Sequence, residues 1–252
     1  MKEIIVQKLR EIEEREHVKI LLAVESGSRA WGFASPDSDY DVRFLYVRTM
    51  TDYLRLDPVR DVIEQPINDL LDINGWDLQK ALRLLYKSNP TLFEWLKSPI
   101  VYMETEFADR MRAVMNDYFS VKHSLYHYIS MAEGNYRKYL KTERVKAKKY
   151  FYVLRPLLAG QWILKTGSPP PMLFSELAEA ELPEELRTDV EKLLEIKIHA
   201  PEIKKIQRID KLNEYLENEI LRMKEKAGAL GEEEKKSWEK LNKIFMENLS
   251  CV

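Results

Sequence analysis

The stretch from Ser26 to Val47, SGSRAWGFASPDSDYDVRFLYV, constrains the chain most. An apolar run, Val18–Ser26, leads into Gly27-Ser28. Turn-forming residues follow, then aspartates at 37, 39 and 41, then a β-branched and aromatic run over 41–48. The two apolar runs read as buried strands. Side chains at i and i+2 of a strand share a face, roughly 7 Å apart. Asp39 and Asp41 therefore set two carboxylates side by side. Unscreened, they repel and raise one another's pKa. Solvation or a cation between them relieves the repulsion. Hard oxygen donors of this kind suit Mg²⁺ together with substrate phosphates.

Two other phosphate or metal loops are excluded. An EF-hand starting at Asp37 needs glycine at its sixth position and an acid at its twelfth, and meets Val42 and Arg48. A P-loop starting at Gly27 has its second glycine at Gly32, but Phe33 and Ala34 replace the Lys and Ser/Thr. A glycine directly after a strand still lets backbone N–H groups approach an anion. Ser28 adds a hydroxyl, and Arg29 a positive charge for a triphosphate. One end of the loop thus suits phosphates and the other a metal. The plain alternative, a solvated SPDSD turn, explains the aspartates but not the Gly-Ser pair.

The remaining chain divides by its patterning. Ile5, Leu9 and Ile12 give a helix over 3–16. RAWGF suggests a short helix. DVIEQPINDLLDINGWD suggests two strands around an Asn68-Asp69 turn. Asp77 caps a helix that Asn89-Pro90 ends, and Thr91–Leu96 begins another. From Thr105 onward strand signals disappear. Helical stretches are expected over 105–118, 120–141, 144–166, 184–198, 203–226 and 232–249, with breaks at 166–171, 199–202 and 227–231. The expected fold is α+β, a mixed sheet with helices over residues 1–100 and a helical domain over 101–252.

Of the 252 residues, 45% are hydrophobic and the net charge is −2. No global basic field draws in nucleic acid, so such binding needs a local patch. No run of about 18 apolar residues crosses a membrane, and MKEIIVQKLREIEEREH lacks a signal-peptide core. The lone cysteine, Cys251, builds neither a disulfide nor a zinc cage, which suits the cytoplasm.

Gly27-Ser28, ten residues, then Asp39-x-Asp41 on a strand resembles the signature of DNA polymerase β-type nucleotidyltransferases. The whole stretch looks most like their RNA-repair-associated, RlaP-type branch. The similarity extends through Gly75–Leu96 and more weakly through Lys148–Ile163. The resemblance implies a polymerase β-like fold, a nucleoside triphosphate substrate such as ATP, two Mg²⁺ or Mn²⁺ ions and an acceptor hydroxyl, with an RNA end suggested by the branch. It also implies a third acidic residue on a neighbouring strand. Asp72, in LLDIN, and Asp77 are the choices. Asp77 already has a structural task as a cap, whereas a carboxylate at 72 in a buried-looking strand lacks one. Asp72 is therefore preferred, and Asp77 stays open.

Lys148, Lys149 and Arg155 fall in the family-like stretch and are candidates to grip nucleotide phosphates. On one helix Arg144, Lys148 and Tyr152 would share a side, with Arg155 close by; a solvated basic face is the plain alternative. His123 and His127 stand i, i+4, but no zincin glutamate follows His123. Trp31 and Phe33 are expected to pack the loop. The rival function is a dormant nucleotide-binding regulator or a toxin's partner.

Overall fold

A computed structural model describes residues 1–66, 70–199 and 205–249. The elements in chain order are α1 (Lys2–Glu16), β1 (Lys19–Glu25), α2 (Gly27–Ala30), β2 (Tyr40–Val47), α3 (Met50–Leu54), β3 (Val62–Glu64), β4 (Leu71–Asp77), α4 (Leu78–Tyr86), α5 (Pro90–Leu96) and β5 (Val101–Glu104). There follow α6 (Glu106–Met115), a 3₁₀ turn (Asn116–Tyr118), α7 (Val121–Tyr139), β6 (Arg144–Lys146), α8 (Ala147–Thr166), α9 (Phe174–Glu181), α10 (Glu184–His199), β7 (Lys205–Gln207), α11 (Asp210–Gly228) and α12 (Glu239–Leu249).

Two compact units result. The first holds residues 1–30, 39–118 and 235–252. Its five-stranded sheet has the order β3-β4-β2-β1-β5. β2 and β4 run parallel, and the other pairs are antiparallel. Ile5, Leu9 and Ile12 of α1 pack with Val42, Phe44 and Tyr46 of β2 and Ile73 of β4. Strand alternation leaves Asp41 and Arg43 on the other face. At Gly75 an added Cβ would stand 2.2 Å from the Phe44 ring, so only glycine admits that ring.

Helix boundaries follow local chemistry. The Asp77 carboxylate accepts the N–H of Gln79 and starts α4. Asn89 accepts the N–H of Leu92, with Pro90 at the first helical position, so the Asn-Pro pair that ends one helix also starts the next. The short helix expected over RAWGF lies earlier, over GSRA, because Gly32 turns the chain with φ +85°. The Asn68-Asp69 turn, part of the break at 199–202 and Cys251 lie outside the described residues.

The second unit holds residues 31–38 and 119–234 and is mainly helical. β6 and β7 add a two-stranded ribbon that the sequence reading lacked. Arg144 therefore sits on a strand, not on one helix with Lys148 and Tyr152. A cut at residue 100 does not describe the division. β5 begins at Val101 yet pairs with β1, and the chain returns to the first unit at residue 235. Accordingly α12, shorter than the expected 232–249 helix, belongs to the first unit.

The loop residues 31–38 enter the helical core. Phe33 is fully buried, with ring centroids 5.0 Å from Phe151 and 5.6 Å from Phe174. The buried Lys197 ammonium donates to Ser35 Oγ at 2.9 Å and Ser38 Oγ at 3.3 Å. Phe33→Ala is expected to destabilise the protein by about 3–5 kcal/mol, read from urea unfolding by circular dichroism. A loss under about 1 kcal/mol would deny the loop its anchoring role.

Candidate active site

β1 closes on Glu25, and Gly27 then opens α2 in a left-handed conformation, φ +60°. A Cβ at Gly27 would stand 2.1 Å from Asp41 Oδ2. The glycine thus leaves the space that this carboxylate fills. The Ser26 N–H donates to the Asp41 carbonyl at 2.8 Å, closing strand end on strand start. On the other side of β2, the parallel register sets Asp41 opposite Asp72.

Directly opposed carboxylates repel, and one arginine answers both. Arg43 Nη2 donates to Asp41 Oδ1 at 3.0 Å and to Asp72 Oδ2 at 2.7 Å. Its Nη1 donates to the carbonyls of Val42 at 3.0 Å and Asp72 at 2.9 Å. Burial pushes the Asp41 carboxyl above the usual aspartate range. Arg43 opposes that shift, while Asp72 and Asp39 add to it.

Glu25 was not singled out in the sequence. It is 0% exposed. Its carboxylate accepts the Asp41 N–H at 2.7 Å and the Tyr102 hydroxyl. Burial raises its pKa, against those two hydrogen bonds. The signal was present: an acid ending the apolar run KILLAVE, two residues before Gly27.

Asp39 is exposed at the loop end. Its carbonyl accepts Arg29 Nε at 3.0 Å, and the Arg29 guanidinium stacks 3.7 Å over the Tyr40 ring. Arg29 therefore holds the loop end. Ser28 is half-buried within α2. Asp77 stands opposite Tyr46, five register positions from the Asp41–Asp72 pair, and takes the Tyr53 hydroxyl at 2.8 Å. Of the two choices, only Asp72 is brought to Asp41.

The basic residues of α8 belong to the helical unit. Lys149 lies over the rings of Tyr139 at 3.9 Å and Tyr152 at 4.3 Å. Lys148 is half-buried. Arg155 corrects the expectation of an open grip. It is 1% exposed, 4.5 Å from the Trp31 ring, with Nη2 on the Met172 carbonyl at 3.4 Å. His123 shares a hydrogen bond with Ser120 at the start of α7.

The donor set fits a hard divalent cation. It consists of carboxylates alone, and Asp41 Oδ2 points over a glycine that makes room for it. Among the described residues, no three His, Cys, Asp or Glu side chains are already gathered as a metal cage. Asp41 and Asp72 have Arg43 between them instead.

A family model, RlaP: RNA repair pathway DNA polymerase beta family, matches residues 1–247. The chain belongs to the RlaP family. That description sets this RlaP-family chain among polymerase β-type nucleotidyltransferases. It is 49% identical over 254 residues to a Bacillus subtilis (strain 168) protein named Uncharacterized protein YcgL, spanning 100% of this chain and 98% of that one. The crystal structure of a nucleotidyltransferase-like protein from Exiguobacterium sibiricum 255-15 shares 14% identity at a TM-score of 0.33, over 98% of this chain and 80% of that one. So distant a likeness carries no argument. No helix among the described residues is long and apolar enough to cross a membrane.

The two aspartates of β4 are expected to separate by experiment. Asp77→Ala should cost about 1–3 kcal/mol in urea unfolding, because a cap and a buried hydrogen bond are lost, whereas Asp72→Ala removes neither. Burial raises the Asp77 carboxyl. Its contribution to stability is therefore full below the unfolded value, about 3.9, and is lost as pH rises through the folded value. Asp77→Asn keeps a capping side chain and cannot titrate. Its unfolding free energy should lack that decline, and an unchanged pH profile would refute the assignment.

Proposed function

We propose that this chain moves a nucleoside monophosphate from a nucleoside triphosphate to an acceptor hydroxyl. The observation that carries this reading is the Asp41–Asp72 pair in register beside Gly27. The acceptor oxygen bonds to the α-phosphorus. The bond from that phosphorus to the bridging oxygen breaks, and pyrophosphate leaves with the electron pair. The acceptor's proton passes to Asp72 or to water.

The backbone at Gly27-Ser28 and the Ser28 hydroxyl seat the triphosphate, as donors at a strand-to-helix turn do. Gly27 keeps that backbone and the Asp41 carboxylate in contact. Asp39, Asp41 and Asp72 are the residues to hold Mg²⁺ or Mn²⁺. When bound, such ions supply neutralisation of the phosphate oxygens and lower the pKa of the acceptor hydroxyl. Glu25 fixes the start of β2 by taking the Asp41 N–H. Rate then comes from positioning and charge, with little covalent work for the protein.

The family's link to RNA repair makes an RNA end the first acceptor to try, in a reducing compartment such as the cytoplasm. Lys148 and Lys149 stay as nucleotide-binding proposals, half-exposed on α8. One observation favours the second reading, a regulator that binds nucleotide without turnover: Arg43 already neutralises Asp41 and Asp72.

The test is incubation with each α-³²P-labelled nucleoside triphosphate, Mg²⁺ or Mn²⁺, and RNAs with free ends. Label transfer with pyrophosphate release is expected. Asp41→Asn and Asp72→Asn should each lower it by at least about 100-fold. Nucleotide binding without transfer, across RNA, protein and small-molecule acceptors, would establish the regulator instead.

A further inference from the structure

We infer that Arg43 competes with a divalent cation for the Asp41 and Asp72 carboxylates, so that such a cation binds both only by displacing the guanidinium. The inference rests on the proposed nucleotidyl transfer and adds a residue that controls its metal requirement.

One nitrogen, Nη2, bridges the two carboxylates, 3.0 Å from Asp41 Oδ1 and 2.7 Å from Asp72 Oδ2. It takes one oxygen from each of two directly paired residues on neighbouring strands. A metal ion held by Asp41 and Asp72 would draw on the same two carboxylates. Two cations cannot share them, since like charges a few ångströms apart repel and only one can sit against both carboxylates.

Arg43 is no loose surface partner. Its side chain is 18% exposed, and its other terminal nitrogen holds two backbone carbonyls. The fork geometry of arginine makes all four bonds at once, which lysine cannot. Its departure therefore costs hydrogen bonds to charged groups, and the incoming ion must exceed that cost. The guanidinium also offsets the repulsion between the two opposed aspartates. Arg43 thus lowers metal affinity and neutralises the pair.

The test reads metal binding directly. Mn²⁺ is titrated into wild-type protein and Arg43→Met, with free Mn²⁺ followed by electron paramagnetic resonance. The variant is expected to bind about tenfold tighter or better, since no charged hydrogen bonds must first be broken. Arg43→Lys should fall between the two. In wild-type protein, the Arg43 guanidinium ¹H–¹⁵N signals should shift and lose protection as Mg²⁺ is added. This second readout decides the matter should Arg43→Met fail to fold.

Equal or weaker Mn²⁺ binding by Arg43→Met, or guanidinium signals unmoved at saturating Mg²⁺, would overturn the inference alone and leave the reaction standing. Absence of Mn²⁺ binding by every form would overturn both the inference and the metal role of the carboxylates.

Discussion

The parallel pairing of β2 with β4 is the constraint on which the site depends. Its register sets Asp41 against Asp72. A slip of one residue would bring Val42 or Ile73 to the polar face and drive a carboxylate into the α1 core. That slip is blocked on the apolar face, where Val42, Phe44, Tyr46 and Ile73 are buried with α1. Gly75 accepting the Phe44 ring adds a shape requirement at the same strand pair. Hydrophobic packing on one side of the sheet therefore fixes the spacing of charges on the other.

Holding like charges in register has an electrostatic cost, and the neighbouring groups are arranged around it. Burial and the other aspartates raise the Asp41 carboxyl, and Arg43 opposes them. Glu25 adds another acid close by, yet it is turned to the Asp41 N–H and the Tyr102 hydroxyl. Its buried carboxylate thus serves as a hydrogen-bond acceptor that aligns β2. Two acids face each other through a cation, and a third holds the backbone beneath them.

The strand Tyr40–Val47 and the Gly27-Ser28 turn were legible because they break ordinary patterning. A solvated turn explains alternate aspartates alone, but not their pairing with a Gly-Ser turn between two apolar runs. Asp72 was legible only by comparison with Asp77, whose capping task was visible in the sequence and is present in the structure. Arg43 was not legible. An arginine within a strand looks like any polar face residue until the partner strand and its register are known. Arg155 misled for a related reason: basic residues spaced along a helix reveal a shared side, not whether that side meets solvent or Trp31. Strands β5, β6 and β7 have three or four residues each, too short for alternation to show.

The ten residues between Ser28 and Asp39 read in sequence as a spacer whose length alone mattered. Eight of them, 31–38, belong to the helical unit, while the residues on either side belong to the sheet unit. Phe33 lies in an aromatic cluster with Phe151 and Phe174, and Lys197 holds Ser35 and Ser38. Arg29 grips the Asp39 carbonyl where the chain re-enters the sheet unit. The side chains of this loop are packed within the helical unit, so the spacing that marks the site in the sequence records the chain's passage through that unit as much as a chemical distance.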